Sequence, residues 1–280
     1  MGDYHRVEAV DEGLEVIRVE TRLSRRLGFC GHASLVDGLL LDACFPRAAD
    51  RLLAALSGRT VEQVAVTHEH EDHIGGCGPL ARHVGAAVLC PEPLVPVLRR
   101  PSSVPRLPYR HLLWGIPEPS PASGLGAELR TSRFRIEVIP TPGHTRDHVC
   151  FFEPDRGWLF AGDLYLGPKV LQARLVENTT DLLASLRRVA ALRPKLLVCA
   201  HKGLVRDPAA ALEVKIRFVE ELLDGVKRLE DSGLAPAAIA RQLLGPEDLF
   251  LIAFTFGDYS KSRLARVSLV PAGSYACPIG

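Results

Sequence analysis

Two hydrophobic periods alternate along the chain. Short apolar runs at 14–19, 34–36 and 39–42, broken by turn signals such as Gly38, read as strands, and 48–56 reads as a helix. Residues 64–67 predict a buried strand that runs straight into a histidine cluster, followed by a short helix near 79–84 and a strand at 87–90. Strands resume at 136–139, 149–152 and 158–161; an amphipathic helix with Leu182, Leu186 and Val189 on one face and a buried strand at 196–200 come next. The second half echoes the first. Beyond His201 the period becomes helical: Val214, Phe218, Leu222, Val226 and Leu229 predict a long helix stopped at Gly233, with further helices at 236–244 and 260–269. Between Arg99 and Gly126, Pro101, Pro105, Pro108, Pro117, Pro119 and Pro121 deny helix and ladder hydrogen bonds, so a long irregular lid or linker is expected there.

Composition narrows the classes. The 280 residues are 47% hydrophobic and 24% charged, which rules out a disordered or collagen-like chain. With 34 Lys+Arg against 33 Asp+Glu the net charge is +1, so no global field draws in nucleic acid or an anionic membrane. No stretch approaches the ~20 apolar residues that span a bilayer, and the N-terminus alternates charges where a signal peptide needs an apolar run. A cytoplasmic protein is expected. Cys30, Cys44, Cys77, Cys90, Cys150, Cys199 and Cys277 are scattered without a C-x-x-C pair and read as reduced, packed thiols.

The chemistry concentrates in Thr67-His68-Glu69-His70-Glu71-Asp72-His73-Ile74-Gly75-Gly76, just after a predicted strand. Ligands in that density converge only if the chain turns sharply at the strand's end, and imidazole with carboxylate suits zinc, manganese or iron. Pro142-Gly143-His144-Thr145, Ala161-Gly162-Asp163 and His201 each follow a further predicted strand. Sites in layered α/β proteins sit at that edge.

In order, H-x-H-x-D-H, P-G-H-T, A-G-D and the late His resemble the metallo-β-lactamase superfamily over roughly residues 14–205. The resemblance implies an α+β four-layer αβ/βα sandwich, with residues 1–206 forming the catalytic domain and 207–280 a helical C-terminal cap. It implies that His68, His70 and His144 hold one divalent ion, that Asp72, His73 and His201 hold a second, and that Asp163 bridges them. Two ions ~3.5–4 Å apart, zinc first and manganese or iron as alternatives, would share a hydroxide that serves as nucleophile, with Asp72 orienting it and relaying a proton.

The reading that follows is a metal-dependent hydrolase cleaving an ester, thioester or lactone of a small molecule. A phosphodiesterase, an iron-dependent sulfur dioxygenase and a metal-containing signalling or binding protein are the alternatives. With Asp163 at the bridging position, the sequence looks more like the glyoxalase II, lactonase and phosphodiesterase branches than the antibiotic-destroying enzymes. It departs from the lactonases, which carry a Tyr three residues after the bridging Asp, where Leu166 stands here with Tyr165 before it. It also lacks the basic cluster by which glyoxalase II binds glutathione. The expected partner is a small-molecule substrate, with a homodimer left open.

Several other residues are weighed with their plainer roles. Asp42 reads as a hydrogen-bond acceptor for a ligand His or as a turn residue. Lys202 could meet a substrate anion but is read as an exposed Lys. His148 is read as a hydrogen-bonded strand residue and Cys77 as a small packed one. Arg99, Arg100, Arg106 and Arg110 are read as solvated loop charges rather than an anion-steering rim, and Phe254, Phe256 and Tyr259 as cap packing. His5, His32, His83 and His111 have no ligand-like company.

Overall fold

The structure is a computed structural model whose described residues are 4–275; Cys277 lies outside them. By its contacts the chain forms two compact units, 1–139 with 149–163 and 195–206, and 140–148 with 164–194 and 207–280.

The first unit is built on two mixed sheets. One runs in chain order through β1 (His5–Asp11), β2 (Leu14–Val19), β3 (Gly31–Val36), β4 (Leu39–Leu41), β5 (Gln63–Ala65), β6 (Ala87–Cys90) and β7 (Ala122–Gly124). It is antiparallel from β1 to β4 and parallel from β4 to β7. The other comprises β8 (Glu128–Arg130), β9 (Arg135–Pro140), β10 (Val149–Glu153), β11 (Trp158–Phe160), β12 (Leu196–Cys199) and β13 (Gly203–Val205), ordered β13-β12-β11-β10-β9-β8.

Period-two alternation assigns each face. Leu39 and Leu41 of β4, Val36 of β3 and Ala65 of β5 meet Ile136, Phe151, Trp158, Phe160 and Val198 in the core between the sheets. Leu35, Leu40 and Val64 point the other way, onto Leu52, Ile74, Cys77, Leu80 and Leu98. These last come from the helices α2 (Ala49–Ala55), α3 (Glu71–Ile74), α4 (Cys77–His83) and α5 (Val95–Arg99); α1 (Arg22–Leu27) and α6 (Pro108–Leu113) complete the unit. All six described cysteines are free and buried, as the sequence predicts.

The second unit is helical. It holds α7 (Thr179–Ala191), α8 (Pro208–Asp231), α9 (Pro236–Leu244), α10 (Leu249–Phe254) and α11 (Lys261–Val267). Leu222 and Val226 of α8, Ile239 and Ala240 of α9, and Leu264 and Val267 of α11 share one buried core. Asn178 caps α7 and Asp207 caps α8, each accepting a backbone N–H three residues on. Among the described residues no helix is long and apolar enough to cross a membrane.

Two mixed sheets packed face to face, with helices, make the α+β sandwich that the sequence predicts for the first unit; the second unit adds the helices predicted at the C-terminal end. Some elements differ. The Pro-rich stretch is not structureless: Pro108 occupies the first turn of α6, where a missing N–H costs nothing, and Pro121 precedes the edge strand β7. Phe256 is 64% exposed rather than packed.

Gly75, immediately after α3, is fixed by crowding. A Cβ there would lie 2.2 Å from Pro46 N and 2.3 Å from Phe45 C, so backbone must move to admit it. Gly75→Ala is therefore expected to destabilise by at least about 1–3 kcal/mol, the cost of overpacking. Urea unfolding checks this, and a wild-type midpoint at unchanged slope would contradict it.

Candidate metal centre

Strand β5 ends at Ala65, and the chain turns through Thr67, His68 and His70 into the four-residue α3, which carries Asp72 and His73. A strand running into a single helical turn lets four ligand side chains converge, because neither period alone would aim them one way. Within this unit β11 and β12 end together: Ala161 N–H donates to Val198 O at 2.8 Å and Ala200 N–H to Gly162 O at 3.3 Å. That pairing sets Asp163 and His201 side by side.

Six of the seven predicted ligands lie in the first unit, in two sets. His68, His70 and Asp163 offer ligand atoms within 4.8 Å of one another, and so do Asp72, His73 and His201. His68 Nε2 is 2.9 Å from His70 Nδ1. Asp163 joins the sets, because its Oδ1 lies 3.3 Å from both His73 Nε2 and His201 Nε2. His201 Nε2 is also 3.3 Å from Asp72 Oδ2.

The seventh residue, His144, belongs to the second unit, where its turn is built against the start of α7. Gly143 has φ 141°, and a Cβ on it would fall 2.5 Å from Leu182 Cα, so only glycine fits. Its carbonyl accepts from Asn178 N–H at 2.8 Å, and Ser185 Oγ donates to Pro142 O at 2.7 Å. His148 of the same unit is 2.8 Å from Thr141 Oγ1, hydrogen-bonded as predicted but one residue before β10 rather than in a strand.

The far sides of the His68, His73 and His201 imidazoles are also engaged. His73 Nδ1 donates to Asp42 Oδ2 at 2.8 Å, and His201 Nδ1 to Cys30 O at 2.9 Å. Thr67 Oγ1 lies 3.0 Å from His68 Nδ1 and donates to Asp42, whose Oδ1 accepts Thr67 N–H at 2.8 Å. These bonds select the tautomer that turns Nε2 of His68, His73 and His201 inward, whereas His70 presents its Nδ1. Asp42 does so from φ 59°, a left-handed conformation rare outside glycine and enriched at functional sites.

His32 is not marked by its sequence surroundings, yet it belongs here. Its backbone N–H and its Nδ1 reach Ala200 O at 2.7 and 3.1 Å, bracing the turn into His201. Burial depresses its imidazolium to about 4, against the opposing pull of the Ala200 carbonyl, so the ring is neutral near pH 7. The signal available in sequence is the single titratable residue of strand β3, His32. Arg106 and Arg110 also depart from expectation: instead of being solvated, both ion-pair with the buried Glu71.

Charge organises the group. Burial raises the Asp163 carboxyl, but His201 and His73 more than offset this and hold it well below its ordinary value. Burial likewise works against the His73 imidazolium, which Asp42 and Asp163 hold well above its ordinary value; for His201, Asp163 and Asp72 do the same. His73 Nε2 is buried with no hydrogen-bond partner, aimed at a carboxylate and backed by a second one. Such a mixed nitrogen and oxygen donor set fits a divalent transition ion. The His201 side chain remains 18% exposed, leaving a way in.

The matching family model is "Metallo-beta-lactamase superfamily", over residues 31–201. A hydroxyacylglutathione hydrolase of Stenotrophomonas maltophilia is 33% identical over 170 residues, 60% of this chain and 58% of that protein. One of Aeromonas hydrophila is 30% identical, over 65% of this chain and 64% of its own. The chain thus spans under two thirds of these curated relatives. An atrochrysone carboxyl ACP thioesterase of Aspergillus fumigatus is 28% identical over 66% of this chain and 40% of its own. Among solved structures, a metallo-β-lactamase family protein of Thermus thermophilus shares the fold with TM-score 0.67 at 22% identity, covering 93% of each chain.

Two outcomes test the centre. His73 and His201, protonated near pH 7 in the metal-free protein because their pKa values are raised, must lose protons to act as ligands. Zinc uptake at pH 7 should therefore release protons, less so as pH rises through those values. Calorimetry in buffers of differing ionisation heat reads this, and buffer-independent heats would contradict it. Asp42→Ala should weaken zinc binding by about 10–100-fold, measured by chelator competition; wild-type affinity would argue against Asp42 as the orienting group.

Proposed function

We propose that this chain, which belongs to the metallo-β-lactamase superfamily, is a dinuclear metal-dependent hydrolase of small-molecule esters, thioesters above all. The single observation that carries the reading is Asp163, whose Oδ1 lies 3.3 Å from both His73 Nε2 and His201 Nε2 while the same side chain groups with His68 and His70. A carboxylate between two sets of imidazoles is what a pair of divalent ions needs to offset their mutual repulsion. Two curated relatives are named as hydrolases and a third as a thioesterase, which supports acyl transfer to water as the reaction class.

In this reading His68 and His70, with His144 as the P-G-H-T motif implies, hold one ion, and Asp72, His73 and His201 hold the other. Zinc is favoured by the histidine-rich donor set. When bound, the ions supply Lewis acidity and an acidified water. The protein's own groups do the rest. Asp72 is held as a carboxylate below its ordinary pKa: burial raises it, and His201 and His73 more than offset this. It thus can take a proton at Oδ2 and hand it to the leaving group. Asp42, Thr67 and the Cys30 carbonyl keep the imidazole rings in one orientation through the cycle. Trp114, 6.3 Å ring to ring from His201, offers an apolar flank to the acyl group.

The test is hydrolysis of a panel of acyl thioesters and nitrophenyl esters, with nitrophenyl phosphodiesters as the competing arm. Chelation should remove thioester turnover and zinc should restore it. Asp72→Ala is expected to cut kcat by about 10²–10⁴-fold. Unchanged turnover in either experiment, or preference for the phosphodiesters, would overturn the assignment. Stoichiometric metal with no turnover on any substrate would favour a binding protein instead.

A further inference from the structure

The H-x-H-x-D-H motif leaves Glu71 unassigned, although it is fully buried between two ligands, His70 and Asp72. Its carboxylate is gripped by a fork: Arg110 Nε donates to Oε1 and Arg110 Nη2 to Oε2, both at 2.6 Å. Arg106 Nε adds a third bond to Oε2 at 3.3 Å, and its Nη1 donates to the carbonyls of Pro101 and Val104. Arg110 itself is only 6% exposed.

The Pro-rich stretch is therefore tied to the ligand loop by a paired, desolvated charge. Other contacts tie the same stretch to the chain just before α2. Arg47 N–H donates to Trp114 O at 3.0 Å and Arg47 Nη2 to His111 O at 3.1 Å. Trp114 packs edge-on to Phe29 at 4.3 Å and lies 5.6 Å from Phe45.

We infer that Glu71 and Arg110 form a positioning pair that sets the ligand geometry of Asp72 and His73, and that α6 is a fixed wall of the site. The inference rests on the metal-centre reading above. α3 is a single turn of four residues with no side-chain cap at its start. One helical turn has no cooperative stability of its own, yet ligands must be held within about 0.5 Å to bind well. Gly75 and Gly76 fix the end of α3, since Gly75 N–H donates to Cys44 O and Gly76 N–H to Ala43 O, both at 2.8 Å. The Glu71 fork fixes its beginning. A bidentate guanidinium sets direction as well as distance, which a lysine could not do.

The experiment compares zinc affinity and unfolding midpoint in the full chain for Glu71→Gln, Arg110→Lys and the apolar double replacement Glu71→Met with Arg110→Leu. Replacing both members of a buried ion pair by apolar residues commonly preserves stability, so the double variant separates scaffolding from positioning. The expected result is zinc binding weakened by about 10–100-fold in every folded variant, including a double variant with a wild-type midpoint. An altered d–d spectrum of the cobalt-loaded protein should accompany the loss. Wild-type zinc affinity and an unchanged cobalt spectrum in any folded variant would overturn the inference. Thioester turnover is scored separately: wild-type protein that binds zinc but cleaves no thioester would strike the proposed reaction and leave the role of the pair standing.

Discussion

Three carboxylates, Asp42, Asp72 and Asp163, are taken out of water within one cluster of loops, and that concentration of negative charge governs the rest of the first unit. Desolvating a carboxylate costs several kcal/mol unless cations and donors meet it. Here imidazoles meet it: Asp42 takes His73 from behind, while Asp163 faces His73 and His201 from the front. The arrangement is tolerable without an ion because those two histidines can carry protons, and in the proposed centre a dication would take the place of the protons. The same charge balance that permits folding would thus favour a bound cation.

Rigid elements make the balance usable. Strands β5, β11 and β12 bring their ends to one edge, and the alternation of Leu39, Leu40 and Leu41 between two cores leaves the sheet no freedom to slip register. What departs from the strands is short: four residues of α3, two glycines, a single residue after Ala200. Each short departure is braced by something distant in sequence, His32 under Ala200, Asp42 behind His73 and Arg110 on Glu71. In the second unit, His144 receives equivalent support from Gly143 and Asn178 against the start of α7. Proline, which in the sequence signals a long irregular connection, here starts α6 in the position where it costs nothing.

Legibility follows locality. Strands such as Leu14–Val19 and Ala87–Cys90, and the helix Pro236–Leu244, declare themselves because each carries its own period and its own terminators. The candidate ligands His68, His70, Asp72 and His73 declare themselves because four chemically matched side chains in six positions are improbable by chance. Strand β1 is illegible: its charges alternate on a half-exposed edge, where pairing with β2 rather than burial supports it. Strand β13, three residues long, has no period to read. His32, Arg106 and Arg110 mislead for one reason, that a polar residue's partner can lie tens of positions away and leaves no mark on its neighbours.

By itself, then, the sequence determined the family, the longer periodic strands and helices, and the set of candidate metal-ligating side chains, because these depend on spacing within a few residues and on donor chemistry. Only the tertiary structure decided that Asp163 lies 3.3 Å from both His73 and His201, that Thr67, the Cys30 carbonyl and His32 brace the loops around them, and that the Pro-rich stretch is anchored to Glu71. Those outcomes depend on where strand ends meet in space and on how desolvated charges pair, and neither quantity is encoded in any local window of the chain.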